Sequence, residues 1–244
     1  MPSPNDIGLV ELDVVPYGQA LALQYQLRDR LIEGTAPEGR VGYLLCLEHP
    51  PVVTLGKRAL PEHLTDRNGL RDQGIEVFEI DRGGEATYHG PGQLVIYPII
   101  KLEALSLGVV DLVRGLAAEI SSVLDDYGVT ASYDTDHPGV WVDDQEPKRK
   151  IASVGMRVRR GVSTHGAAIN LVNDMTPFTM IVPCGIANAP MARLVDFVAE
   201  DVDASPKGFR ERLYGGIARL TGADLEPVDI DLPPEDEWVE SAEV

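Results

Sequence analysis

Three stretches of this 244-residue chain gather residue types that can do chemistry. Cys184 lies in Ile181-Val182-Pro183-Cys184-Gly185-Ile186, where proline and glycine mark a turn able to present a thiol. A thiolate there is a candidate nucleophile; an inert loop cysteine is the plainer reading. The second cysteine, Cys46, lies in the apolar run 43–47 and is expected to act as a small hydrophobe. Lysine is scarce, five of 21 basic residues, and Lys150 opens an apolar run. In a regular strand over 150–158, Lys150 shares a face with Ala152, Val154, Met156 and Val158. An ammonium held there beside a thiol would lower the thiol's pKa, whereas a solvated Lys148-Arg149-Lys150 cluster would do nothing.

The third stretch is Arg82-Gly83-Gly84-Glu85-Ala86-Thr87-Tyr88-His89-Gly90-Pro91-Gly92-Gln93. Its four glycines and one proline suit either a long hairpin turn or a loop whose backbone closely approaches a ligand. Neither the phosphate-binding G-x-x-x-x-G-K-[ST] pattern nor a helix-opening G-x-G-x-x-G is present. His49, His63, His89, His137 and His165 form no H-E-x-x-H, and the two cysteines form no C-x-x-C, so no metal is expected.

Elements must hold these residues in place. Ala20, Leu23, Leu27 and Leu31 recur at helical spacing up to Gly34, and Val109 through Tyr127 carries a longer stripe closed by Gly128. Phe209, Leu213, Ile217 and Leu220 predict a third helix after Pro206. Strands are expected at 42–47, 52–55, 76–80, 93–100, 139–142, 151–158 and 164–172, with Pro98 marking an edge or a bulge. Residues 61–74 read as a polar loop. Clustered strands without βαβα alternation predict an α+β domain, a mixed, mostly antiparallel sheet with helices against one face.

The formal net charge is −18, from 21 Lys and Arg against 39 Asp and Glu, which argues against a nucleic-acid binder. Nine acids and no base lie in 223–244, a stretch with three prolines that reads as an acidic, disordered tail behind a 1–222 catalytic body. Basic residues collect instead at Lys148, Arg149, Lys150, Arg157, Arg159 and Arg160, either a solvated face or a docking patch for an acidic partner. The chain opens without a basic, apolar leader, and its longest apolar run, 94–100, falls far short of a membrane span. A cytoplasmic protein that meets no membrane is expected.

Four segments carry a family likeness: Glu48-His49-Pro50-Pro51-Val52-Val53-Thr54-Leu55-Gly56, the 82–93 stretch, Lys150-Ile151-Ala152-Ser153-Val154-Gly155, and His165-Gly166-Ala167-Ala168-Ile169-Asn170 followed by Pro183-Cys184-Gly185-Ile186. Through them the chain resembles the octanoyltransferases of lipoate biosynthesis, the lipoyl(octanoyl) transferases. The resemblance implies the fold shared with lipoate and biotin protein ligases, Cys184 as the acyl-thioester nucleophile, and Lys150 as the group that lowers its pKa. It further implies substrate contacts from Arg82, Gly83, Gly84, Glu85, Ala86, Thr87, Tyr88 and His89, from Ser153, Val154 and Gly155, and from Gly166, Ala167 and Ala168. The implied donor is octanoyl-acyl carrier protein, and the acceptors are apo lipoyl domains of 2-oxoacid dehydrogenases and the glycine cleavage H protein, with no cofactor. His89 either assists proton transfer or only orients a partner. An ATP-dependent lipoate or octanoate ligase, a lipoyl-domain amidotransferase and a non-catalytic module that binds lipoyl domains or acyl carrier protein are the rival readings.

Overall fold

The computed structural model describes residues 5–143, 147–183 and 190–242. Its main sheet has eight strands: β1 (Asp6–Val14), β2 (Arg40–Glu48), β6 (Gln93–Ile100), β7 (Ala131–Asp134), β8 (Gly139–Val142), β9 (Arg149–Arg159), β10 (Val162–Asn170) and β11 (Asp224–Pro227). Their order across the sheet is β11-β1-β2-β6-β10-β9-β8-β7, parallel only where β1 meets β2 and β11. A second sheet sets β3 (Val52–Leu55) between β4 (Glu76–Glu79) and β5 (Ala86–His89). The fold is α+β, with the mixed, mostly antiparallel sheet that the sequence leads one to expect.

Helices cover both faces of the main sheet rather than one. β2 over 41–47 and β6 over 94–100 carry an unbroken run of buried residues, so their alternating side chains demand cover on each side. Leu44, Cys46, Leu94 and Ile96 pack under α3 (Val109–Asp126) and α4 (Pro206–Thr221). Tyr43, Leu45, Val95 and Tyr97 pack under α1 (Tyr17–Glu33). The three helices end where their glycines say they should: Gly34 and Gly222 cap α1 and α4 in the left-handed conformation, and Gly128, also at positive φ, follows α3. At the start of α4 the Ser205 hydroxyl accepts from the Gly208 N–H.

Four further points need correction. Pro98 sits in a central strand, fully flanked by β2 and β10. The missing N–H is tolerated because ladder pairing to β10 stops at Ile96, and the Ser163 hydroxyl bridges the gap, donating to the Pro98 carbonyl and accepting from the Ile100 N–H. Residues 61–74 are not a plain loop but hold a short helix, α2 (Arg67–Asp72), capped by Asp66 and anchored by buried Leu70. β1, β5, β7 and β11 go unread in the sequence, β5 because it lies inside the glycine-rich stretch.

The fourth correction is the acidic tail, which is ordered as far as Ala242. β11 adds to the sheet edge beside β1, and Val228, Ile230 and Leu232 pack on the α1 side of the core. Further on, the Val239 N–H donates to Gly18 and the Ala242 N–H to Val77, tying both sheets with one strand of chain. Alternate apolar residues supply the burial while the acids face water, so net charge alone misjudged the segment.

Candidate active site

The floor of the site is the pairing of β9 with β10, in register Ser153↔Ala168, Gly155↔Gly166 and Met156↔His165. A β-bulge at Ile151 decides which way Lys150 points. On β8, Gly139 opposes Ser153 while Trp141 opposes Lys150, so two steps of β8 match three of β9. Lys150 therefore shares the face of Ser153 and Gly155, not that of Ala152 and Val154 as a regular strand would have it. The side chain is fully buried, and its ammonium donates to the Pro138 carbonyl at 2.6 Å and lies 5.6 Å from the centre of the Trp141 ring. Gly139 makes this possible: a Cβ there would lie 2.2 Å from the Lys150 Cε, and its φ of 154° suits glycine.

The roof is the 82–85 loop. Arg82 is buried and works inward, donating to the Thr54 carbonyl and hydroxyl, to the Glu85 carbonyl and to the Gly83 carbonyl. The loop crosses β9 closely, since the Gly83 N–H donates to the Met156 carbonyl and a Cβ on Gly155 would meet the Gly83 oxygen at 2.8 Å. Glycine at 155 is thus required by the approach of one backbone to another. Outside, Arg58 pairs with Glu85 at 2.9 Å on the rim.

A cluster of buried rings closes one end. His49 sits between the Val15 carbonyl and the Tyr97 hydroxyl, and its ring centre is 5.7 Å from that of His89. His89 is bonded to Gln93 and stacks near Tyr17. Burial pushes His49 down to about 4 and His89 to about 3, so both imidazoles stay neutral in the folded protein. His165 is also buried and also pushed down by burial, against the pull of Asp81, whose carboxylate lies 3.1 Å from its Nε2. Asp81 itself falls below the usual carboxylate range through that bond. Neutral His89 is better suited to orienting a group than to donating a proton at neutral pH.

Between floor, roof and rings lies a cavity of about 220 Å³. Its walls bring together Lys150 with Arg82, Gly83, Gly84, Glu85, Ala86, Thr87, His89, Ser153, Val154, Gly155, Gly166, Ala167 and Ala168. Tyr88 is the exception. It points the other way from β5, into a small core where it meets Phe178 edge-on. Tyr17, Tyr97 and His165 also border the cavity, and the residue patterns gave no separate signal for the two tyrosines because they lie within otherwise ordinary apolar elements.

Cys184 belongs to 184–189, outside the described residues. The chain on either side is described. Pro183 bridges Ala86 on the roof side, while the Lys150 N–H donates to Pro190 and the Ala192 N–H to Lys150 on the floor side. Buried Cys46 is 1% exposed, and burial pushes its thiol up to about 12, so it holds no thiolate.

The basic run 148–160 is split by the same strand. At one end Lys148 pairs with Asp143, Arg149 stacks on Phe197 and Lys150 is buried. At the other end Arg159 and Arg160 are exposed and Arg157 lies 3.5 Å from Asp81 beside the cavity.

This arrangement can be set beside known proteins. The family model described as the lipoyl protein ligase A/B catalytic domain matches residues 16–216. This chain belongs to that family. Among its relatives, the octanoyltransferase of Desulfotalea psychrophila is 39% identical over 88% of this chain and 93% of its own length. The octanoyltransferase of Pseudomonas syringae pv. tomato is 41% identical over 89% of this chain and 96% of its own. In three dimensions the chain is similar to a bi-partite lipoate protein ligase from Thermoplasma acidophilum, with TM-score 0.70 at 20% identity over 96% of this chain and 89% of that one. The lipoate protein ligase fold of this family member is thereby shown. Among the described residues no group of three metal-ligating side chains occurs, and no helix is long and apolar enough to cross a membrane.

Proposed function

We propose that this protein is an octanoyltransferase that moves an octanoyl group from octanoyl-acyl carrier protein to a specific lysine of apo lipoyl domains, through a thioester on Cys184. The acceptors are the lipoyl domains of 2-oxoacid dehydrogenases and the glycine cleavage H protein, and the reaction belongs to the cytoplasm. Two relatives that align along nearly their whole length carry the octanoyltransferase name. The observation that carries the mechanism is the junction at Lys150. A fully buried ammonium faces the cavity, and the chain enters 184–189 from Pro183 on one wall and leaves it at Pro190 on the other. The reading takes Cys184, which follows Pro183 in the sequence, as the partner of that ammonium.

In the first step the Cys184 thiolate attacks the thioester carbonyl of the donor, the donor's carbon–sulfur bond breaks, and its sulfur leaves as a thiol with the proton of the Lys150 ammonium. One thioester replaces another, so no nucleotide is consumed. In the second step the acceptor lysine, as a free amine, attacks the Cys184 thioester, forming the amide and releasing the thiolate. Lys150 favours the Cys184 thiolate by its charge, and, left neutral after the first step, takes the proton lost by the incoming amine and is an ammonium again when the thiolate is released. Ser153, Gly155, Gly166 and Ala168 leave the floor low enough for an extended chain.

The test is an intact-mass measurement after mixing the protein with octanoyl-acyl carrier protein in the absence of ATP. One octanoyl adduct is expected, missing in Cys184→Ser and discharged by apo lipoyl domain. Modification of the lipoyl domain only with free octanoate and ATP, unaffected by Cys184→Ser, would make the enzyme a ligase instead.

A further inference from the structure

We infer that Trp141 is a positioning residue of the reaction: the face of its indole ring, fixed by the turn between β7 and β8, holds the Lys150 ammonium in its working place. The inference rests on the octanoyl-transfer reading and adds to it a residue that acts through Lys150 rather than on the substrate.

Trp141 meets Lys150 because of the bulge at Ile151. The pairing runs Gly139↔Ser153 and Val140↔Ala152, then Trp141↔Lys150 and Val142↔Arg149. A regular ladder would set Trp141 against Ile151 and leave Lys150 opposite Val142. One extra residue on β9 thus brings an aromatic face to the cation, since directly opposed side chains share a face of the sheet. The Lys150 stem crosses the gap left by Gly139. Its ammonium ends 2.6 Å from the Pro138 carbonyl and 5.6 Å from the centre of the Trp141 ring.

The turn is built to keep that ring still. Trp141 is 6% exposed, and its indole N–H donates to the His137 carbonyl at 2.9 Å. The next carbonyl along the chain, that of Pro138, takes the ammonium. Asp134 closes the turn from behind, accepting from the Asp136 and His137 N–H groups at 2.8 and 3.1 Å. The His137 ring stands edge-on to the indole, 6.2 Å between centres. Ring and carbonyl therefore come from one turn, tied together at adjacent residues.

A lysine taken out of water loses the hydration of its charge, and its long stem has many other rotamers to visit. A cation within about 6 Å of an aromatic centre is attracted by the ring's negative face, most strongly where water is excluded. In the proposed cycle Lys150 is an ammonium before the donor's sulfur leaves and again when the product is released. The ring's attraction acts on that charged form and does little for the neutral amine between. Without the ring, the cation that keeps Cys184 a thiolate is less well held.

The experiment compares Trp141→Phe with Trp141→Leu. Both lose the indole N–H bond to His137 and part of the indole's bulk, but only phenylalanine keeps a ring face. Octanoyl loading is followed by intact mass in single turnovers at several donor concentrations. Trp141→Leu should lower the maximal loading rate on the order of tenfold, with half-saturation by octanoyl-acyl carrier protein within about twofold of wild type. Trp141→Phe should stay within about threefold of the wild-type rate. Equal slowing of both variants, the mark of a purely structural role, or full activity in both would overturn the inference. If Trp141→Leu fails to fold, fluorinated tryptophans answer without a change of bulk, in a Trp238→Phe background that leaves Trp141 as the sole tryptophan. Each added fluorine draws density from the ring face, so loading should slow stepwise along the series; a flat series would overturn the inference. Where the wild type acylates lipoyl domains only from free acid and ATP, the octanoyl-transfer reading falls, and the same variants read on that rate decide Trp141 separately. A wild type that acylates nothing under either condition would remove both.

Discussion

The two ends of β9 carry similar charge in the sequence and have opposite fates in the fold. Lys148, Arg149 and Lys150 open the strand; Arg157, Arg159 and Arg160 close it. At the first end an adjacent acid, an aromatic ring and a burial slot each take up one cation, and the bulge at Ile151 turns Lys150 toward the cavity. At the second end no bulge intervenes, and Arg159 and Arg160 run out into solvent past the edge of the core. The lesson is that a cation's role follows from what its backbone register makes it face. A buried ammonium is costly unless paired, so it persists where a fixed carbonyl and a ring accept it, whereas an exposed guanidinium costs little and contributes mainly a field.

The largest expected effect comes from removing the buried cation. Lys150→Ala should lower acyl transfer by roughly 10²–10⁴-fold, the range for a positioned proton-transfer group, with octanoyl loading of Cys184 slowed in parallel. A drop confined to KM would instead make Lys150 a mere binding contact.

Acid should act next most strongly, and on the buried side alone. His49 and His89 titrate near 4 and near 3 when folded, against about 6.5 in an unfolded chain. Their contribution is complete above pH 6.5 and declines below it, because the unfolded chain takes up the protons first. By pH 5 the loss is about 2 kcal/mol per histidine, visible as a lower urea midpoint than at pH 7. A midpoint that holds steady between these pH values would mean that water reaches these rings.

Gly139→Ala sharpens the comparison from the opposite strand. The new Cβ would collide with the Lys150 side chain at a backbone angle poor for alanine, at a cost of about 1–3 kcal/mol in stability. Activity should fall less than in Lys150→Ala, since the ammonium is displaced and not deleted. Equal activity and unchanged stability would show that the slot has slack.

The smallest effect belongs to the exposed end. Arg159→Glu with Arg160→Glu should raise KM for an acidic protein partner on the order of tenfold at low ionic strength, with kcat unchanged and the difference erased by salt. Unchanged KM values for both acyl carrier protein and lipoyl domain would reduce these arginines to a solvated face.

Much of this was legible beforehand because it depends on local period. The helices over α1, α3 and α4 follow from stripes and terminal glycines, and the apolar strands from their runs. Cys46 could be read as inert from its apolar run, since a strand buried on both faces keeps the thiol out of water, and that burial outweighs the pull of nearby Arg210. Among the described residues named through family likeness, Tyr88 alone lies off the cavity wall, packed into a separate small core, while Tyr17, Tyr97 and His165 line the cavity without having been named.

What the sequence by itself determined is therefore the set of elements, the family and the reactive residue types. Only the tertiary structure decided that a bulge turns Lys150 into the cavity, that Pro98 sits mid-sheet opposite a bridging serine, and that the acidic tail is stitched across both sheets. The physical reason is common to all three. Each depends on pairing between segments far apart in the chain, where one residue of register changes which face is buried, and no local pattern carries that information.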